Sequence, residues 1–531
     1  MRSRETRDRE EGQAIVLVVL AMGIFLIGAV GLGFDGSILY AQLRRAQLAA
    51  DAAAQAAMLS IYDGTNTVST NSAKFSTGSS FTCATGDART PCKYAGLDGF
   101  STSADTVTVD FPTSAPGVTL STVYPTNLVK VTVSRSVNAT LMRLLGSTST
   151  TVTATATAAI VDVTSPVPII VIHPTSTSKL SSPFSVQGTP TIQICGGPTR
   201  SIQVNSSSST AANSGGNASI DLSKAGPNDT NGTCTTGTGA DMGVWGGPSS
   251  LSGVSYGTTG KYVNPASWMQ DPLRNVSAPS IPTQGGVVGA AQLIGTQNHV
   301  NAGANITPAA GTTPVTCPTT TSPHGCTLLT PGLYASGLNL TNTYAMFMPG
   351  IYYMQGSNGF QCASGCSAVM VSGITDGTCT TACSGTGWDG TQANGGMLVY
   401  NTGTGQFNLG ANGSASLIGS PASSTYKGIL LFEDRAAPAN NVDQSPHNQH
   451  TLGGGGDLTL IGTIYLTNTR DTTLANPKTY QELDLQGNSG NATKIDGEII
   501  VDALQLGGTG GITMSLNSNA SYIVSEVALV Q

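Results

Sequence analysis

Charge is scarce in this 531-residue chain: Lys, Arg, Asp and Glu together make up 10% of it, against about 25% in an average soluble domain. The formal net charge of −7 leaves no basic footprint for nucleic acid. Aromatic residues are scarce too, at 5% with three tryptophans. No established catalytic signature is present, and the glycine run 453–456 lacks the Lys-Ser/Thr pair that would grip a phosphate. In place of charge there are 66 glycines and abundant Ser, Thr and Asn, a composition that makes a surface polar without making it ionic. Asn-x-Ser/Thr triplets such as those at Asn217 and Asn412 arise by chance in such a chain and assign no glycosylation.

One long apolar run is present. Residues 14–34 carry no charge and as a helix span about 30 Å, the hydrocarbon thickness of a bilayer. A cleaved signal peptide would have a shorter core and end at a small-residue cleavage site, whereas Gly33-Phe34-Asp35 leads into more helix. The run therefore reads as an uncleaved transmembrane helix. Arg2, Arg4, Arg7 and Arg9 precede it and only Arg44 and Arg45 closely follow it, which puts residues 1–13 in the cytoplasm and the long C-terminal part outside.

Ten cysteines, none in the span, fall in sequence-local groups: Cys83 with Cys92, Cys195 with Cys234, Cys317 with Cys326, and Cys362, Cys366, Cys379 and Cys383 together. An even count at close spacing reads as disulfides in an oxidising compartment. The last four, as Cys-x3-Cys, x12, Cys-x3-Cys, have a tetrahedral zinc site as their alternative. Exported context and Gly/Ser/Thr surroundings favour disulfides there, with three connectivities open.

Residues 35–64 continue as an Ala-rich helix that Gly64 ends. Leu39, Leu43, Ala46, Ala50, Ala53, Ala57 and Ile61 form one narrow stripe along it. Small side chains on that seam would let a partner helix approach closely, as would Ala29 and Gly33 in the membrane. The alternative is that the stripe packs on the chain's own next domain. Residues 65–165 read as a small α+β module, with period-two strands at 107–111, 129–137 and 152–158 and a helical turn or two at 139–145.

Several spaced features then agree. Glu11-Gly12-Gln13-Ala14 before the span, Phe34-Asp35, Tyr40, Gln42-Leu43-Arg44-Arg45 and the Ala-Ala-Asp-Ala-Ala-Ala run from Ala49 resemble the N-terminal segment of bacterial TadE/TadG-like Flp pilus-assembly proteins. The 129–137 strand, the 141–146 turn and the Thr/Ala strand after it fit the same pattern, which covers roughly the first 160 residues. The resemblance implies a single-pass protein of the bacterial cytoplasmic (inner) membrane, belonging to the Tad secretion or pilus system or to a relative that borrowed its anchor. Its partners would be the lipid bilayer, other Tad pilus-assembly proteins and pilin-like helices. Two positions depart from the pattern. Small pilins of this system carry Glu five residues after a processed Gly, and counting on from Gly12 that position is Leu17. TadG-like members often continue into a von Willebrand A domain whose first strand ends in Asp-x-Ser-x-Ser. Here the strand 168–172 ends in His173-Pro174-Thr175-Ser176-Thr177, without the carboxylate a hard cation needs, so no metal and no cofactor is expected.

From residue 166 to 531 the chain is a succession of short apolar beats between Gly, Ser and Asn. Phe184-x-Val186, Ile192-x-Ile194, Ile202-x-Val204 and Ile220-x-Leu222 read as three-residue strands. A glycine then recurs before apolar triplets at Gly332, Gly350, Gly396, Gly428, Gly462 and Gly497, spaced 18, 46, 32, 34 and 35 residues apart. The wide interval holds the four-cysteine group and reads as an insertion on one coil. Near-periodic strands with scant helix argue for a mainly β body, a β-solenoid (β-helix-like). A β-sandwich pair is the alternative, residues 226–322 read as an irregular insertion, and 522–530 as an end cap or last strand.

Chemistry is weakly marked. Glu433-Asp434-Arg435 follows a strong strand and could line a groove for acid-base work on a polysaccharide, but no second carboxylate cluster accompanies it, and a charged turn at a coil corner is the favoured reading. His447 and His450 near Asp443 lie on a loop-like segment, where a metal site is disfavoured. Trp245, Trp268 and Trp388 could stack on sugar or plug gaps under loops. The expected function is a non-enzymatic, membrane-anchored structural or assembly protein of the Tad type with a surface-adhesion role. The alternative is an anchored β-helix enzyme acting on polysaccharide.

Overall fold

The computed structural model describes residues 4–530 apart from 68–70, 102, 119, 121–125, 142, 144–145, 147, 164–166, 177–179, 230–231, 275, 285–288, 307–314, 322–323, 372–394, 411–412, 421–425, 436–448, 454, 468–479, 488–492 and 517–523. Two compact units result, Met1–Val163 with Ser525–Gln531, and Thr164–Val524.

In the first unit one helix, Arg4–Tyr62, runs for 59 residues, about 88 Å at 1.5 Å per residue. The apolar span and the Ala-rich segment are thus one uninterrupted element, which stops where Gly64 turns left-handed at φ +76°. Beside it lies a sheet ordered Phe81–Thr82, Asp105–Asp110, Leu128–Asn138, Ser149–Val163 and Val524–Val530, its first four strands antiparallel. Alternation of threonine and alanine in Ser149–Val163 puts Ala154, Ala156 and Ala158 on the buried face and their threonine neighbours outward. Small residues on both surfaces let the helix lie close, so Ala46, Ala50, Ala53 and Ala57 share one core with Val131, Val133 and those alanines. A second helix, Thr90–Leu97, was not marked by periodicity; Pro91 in its first turn fits the start of a helix. Val524–Val530 is an edge strand of this sheet and neither a cap nor a last strand of the body, which corrects the expectation for 522–530. Period-two alternation marks a strand but does not name its partner.

The second unit is mainly β. Its strands form sheets of eleven, ten and eight members, in which neighbours pair in parallel apart from Gln297–Val300 against Cys326–Leu329. Parallel pairing departs from the antiparallel sheets of the sandwich alternative. Successive strands visit the three sheets in turn: Ile499–Val501 lies in the ten-stranded, Ala503–Gly508 in the eight-stranded and Gly511–Leu516 in the eleven-stranded sheet. Inward residues of all three, among them Ile169, Phe184, Ile192, Phe360, Phe407, Leu431, Leu483 and Leu504, make one continuous core.

The chain enters this arrangement in the middle. Ile169–Val171 pairs with Arg200–Val204 on one side and with Ile499–Val501, more than 300 residues later, on the other. From there the chain proceeds outward to Tyr262–Val263, crosses over, and resumes at the opposite end of the eleven-stranded sheet with Gln297–Val300 before working back. Part of 226–322 therefore belongs to the sheets, at Asp241–Val244, Val254–Ser255, Tyr262–Val263 and Gln297–Val300. Strands of two to four residues among glycines are too short to show alternation, which is why that stretch reads as irregular.

The recurring glycines sit where strands of the ten-stranded sheet begin. Gly462 has φ +134°, and a Cβ there would lie 2.7 Å from the carbonyl oxygen of Gly428. At Gly497 the equivalent atom would lie 2.3 Å from the oxygen of Gly462. Each glycine thus makes room for the backbone of the neighbouring strand's corner.

Candidate functional site

Ile15, Leu17, Val19, Met22, Phe25, Val30 and Leu32 are each more than half exposed, on every side of the helix. The helix is long and apolar enough there to cross a membrane. Asp35 closes that segment. Its carboxylate is buried and accepts the main-chain N–H groups of Thr140, at 3.1 and 3.2 Å, and of Leu141, at 3.3 and 3.0 Å. The loop after the long central strand is thereby fixed to the helix just past the apolar run. Leu32, Ile38, Leu39, Val137 and Thr150 surround the same point, around a cavity of 210 Å³. Arg44 donates to the hydroxyl of Tyr40 from Nε at 2.9 Å and Nη2 at 2.6 Å.

Of the helix seam, Ala46, Ala50, Ala53 and Ala57 have no exposed surface and meet this chain's own sheet, Leu39 is partly buried against it, and Leu43 is exposed. Intramolecular packing fills the place where the sequence could also put a partner helix, because the module's alanine-lined strand offers the same close approach.

Four sulfur pairs are joined: Cys83–Cys92, Cys195–Cys234, Cys317–Cys326 and Cys362–Cys366. Cys379 and Cys383 lie outside the described residues. With Cys362 and Cys366 bonded to each other, two of the four thiolates of a zinc site are consumed. Asp87 stands close to Cys83 and Cys92, but those sulfurs are oxidised and the carboxylate is held by Arg89, whose hydrogen bond keeps its pKa below the usual range.

The residues considered for catalysis do not converge. Glu433 points inward, buried, and accepts a hydrogen bond from Asn401 Nδ2 at 2.9 Å. Burial raises its pKa well above the ordinary carboxyl value. Arg435 points the other way, donating to Tyr465 Oη at 2.6 Å, to the carbonyl of Val276 at 3.0 Å and to that of Leu273. Tyr465 in turn donates to Asp271 at 2.6 Å. These bonds fasten the crossover segment onto the outer face of the ten-stranded sheet, where Leu273 and Val276 pack on Tyr400, Phe432, Tyr465 and Ile500. Asn205 holds the same segment by accepting the N–H of Met269 at 3.1 Å and donating to its carbonyl at 2.5 Å. Neither the strap nor its anchors carry a sequence motif; an unusually polar end to the strand 200–204 was the available signal.

His450 is buried, its Nδ1 accepting the N–H of Phe407 at 3.0 Å and its Nε2 bonded to Gln481 Oε1 at 2.6 Å. Both nitrogens are occupied, so neither is free for a metal. His447, Asp443, Trp388 and Asn412 lie outside the described residues. Trp245 is 40% exposed, whereas Trp268 keeps its indole nitrogen buried.

No family model matches the chain, and no curated protein does. Among solved structures, the competence-associated pilin ComZ from Thermus thermophilus is similar to it at 10% identity over 92% of this chain and 98% of that one, with a TM-score of 0.20, a likeness too slight to establish a common architecture.

Proposed function

We propose that the chain is a non-enzymatic, membrane-anchored structural or assembly protein of the bacterial cell envelope, of the Tad (Flp pilus) type. Its helix crosses the cytoplasmic membrane once with the N-terminus inside, and its body works outside the cytoplasm as a β-solenoid with an adhesive surface. The observation that carries this reading is the division of one helix into an apolar length exposed all round and an alanine-rich length buried in its own module. The Tad-like residues supply the type, since Phe34-Asp35 falls where the carboxylate binds the module's loop. Return of every third strand to the same sheet in parallel supports the solenoid. Disulfides in four places suit an oxidising compartment.

The test is crosslinking in the native membrane followed by identification of the captured chains. Capture of Tad pilus-assembly proteins or pilin-like subunits is the expected result. A chain that crosslinks to none of them, in a host that assembles the pilus, would refute the Tad assignment.

A further inference from the structure

We propose that an anionic phospholipid of the leaflet outside the cytoplasm seats in the gap where the long helix meets its module, with its phosphate at Arg143. This rests on the membrane-anchor reading above and gives that anchor a lipid partner.

Helix and hairpin run side by side toward the membrane and part at its edge. Gln47 Nε2 donates to the carbonyl of Thr155, whose strand partner is Thr132, whereas Asp35, twelve residues earlier, binds the N–H groups of Thr140 and Leu141. The strand Leu128–Asn138 therefore travels back along the helix, and the hairpin it makes with Ser149–Val163 points at the apolar run. The hairpin tip is closed by the bond from Ala139 N to the carbonyl of Thr148 at 3.1 Å. Val152 and Ala154 face the helix and are buried, yet Thr150, next toward the tip on the same face, is exposed. The 210 Å³ cavity is the gap that results. Gly36 leaves it open from the helix side, since a Cβ there would meet no atom within 4 Å.

Position names the occupant. One wall, Leu32, belongs to the run that is exposed on every side, so the gap opens onto whatever surrounds that run. Residues 35–39 rise about 6 Å beyond it, roughly the depth of one headgroup layer. Leu32, Ile38, Leu39 and Val137 offer apolar surface to the glycerol end of an acyl chain. Asn138 and Thr150 line the same gap, and their side chains donate to no other group among the described residues, which leaves them for ester and phosphate oxygens.

Arg143 supplies the charge. It is the only charged residue between Arg135 and Asp162, it is exposed, and among the described residues it pairs with no acid. Its place, two residues after Leu141, holds it near the end of the apolar run. A guanidinium takes a phosphodiester through parallel N–H bonds. Asp35 does not compete for it, because that carboxylate is turned to the two main-chain N–H groups. Arg44, bonded to Tyr40, stands about 14 Å farther along the helix and beyond the headgroups. A choline head would set a second cation against Arg143, so an anionic head is favoured.

Native mass spectrometry of the full-length chain released from detergent micelles, titrated with phosphatidylglycerol or with phosphatidylcholine, tests this. Retention of one phosphatidylglycerol per chain is expected, at least fivefold tighter than phosphatidylcholine and unaffected by inorganic phosphate. Arg143→Ala should remove the fivefold preference. Gly36→Leu, which fills the gap from the helix, should abolish retention of both lipids with the thermal unfolding transition kept; Thr150→Leu, filling it from the sheet, serves if that variant does not fold. Lys74→Ala, which removes an equal charge at an exposed site, should change nothing. Equal retention by parent and folded variants, an equal loss with Lys74→Ala, displacement by inorganic phosphate, or a dimer lost in Gly36→Leu in place of lipid overturns the proposal. Carbonate extraction separates the two readings: a chain kept in the washed membranes that shows no preference for phosphatidylglycerol loses this inference alone, whereas a released chain loses the anchor.

Discussion

His450 sits with both ring nitrogens engaged, and burial lowers its pKa from the ordinary 6.5 to about 4. Above pH 6.5 neither the folded nor the unfolded chain protonates it. Between 6.5 and 4 only the unfolded chain takes up the proton, so stability falls as pH falls, by up to about 3 kcal/mol. Urea midpoints measured from pH 7 to pH 4.5 should show that loss, and His450→Gln should flatten it. Glu433 acts with the opposite sign. Its raised pKa keeps it neutral in the fold, so its contribution is complete below 4.5 and is lost as pH rises through the folded value. Glu433→Gln should therefore gain stability relative to the parent at pH 8 more than at pH 5. At Asp35, replacement by Ala leaves two main-chain N–H groups without their acceptor and should cost about 1–3 kcal/mol in the thermal transition of the module. Asp35 was visible in the sequence as part of a motif, and the structure supplies its bond. The inward turn of Glu433 was not visible, because which side of a corner a side chain takes depends on the register of the next strand.

At the scale of elements, the buried seam makes a sharp prediction. Ala53→Leu inserts three carbons where no surface is exposed, and should destabilise the first unit by about 1–3 kcal/mol. Near-ultraviolet circular dichroism and thermal unfolding read that loss; an unchanged transition would mean that helix and sheet do not pack there. The corner glycines are equally specific. Gly462→Ala puts a methyl 2.7 Å from the oxygen of Gly428 in a left-handed backbone, and should lower the unfolding midpoint of the body more than a substitution at exposed Asn339 does. The long helix, the strands 105–110, 128–138 and 149–163 and the glycine-led triplets were legible because each carries its own periodicity. The crossover strap was not, since its packing on Tyr400, Phe432 and Tyr465 uses isolated side chains and main-chain carbonyls. Nor was the helix Thr90–Leu97, eight residues with three buried side chains.

In the whole molecule, the chain leaves the first unit after Val163 and returns to it with Val524–Val530. The body is an insertion between two strands of one sheet; its first strand, Ile169–Val171, pairs with Ile499–Val501, and its last, Gly511–Leu516, pairs with Thr191–Gly196, so the two ends of the insertion close on each other's neighbours. Sequence order cannot reveal such a path, because a set of parallel sheets entered in its middle has the same local beats as one entered at an end. With its own continuous core, the fragment 164–524 should fold without the anchor and show strand with little helix by far-ultraviolet circular dichroism. The most direct measurement concerns the anchor: an epitope added after Gln531, probed with protease in intact and lysed spheroplasts, together with carbonate extraction of the membranes. Digestion of the epitope in intact spheroplasts with the helix kept in the carbonate-washed pellet is the predicted result. An epitope protected until lysis, or a chain released by carbonate, would contradict it.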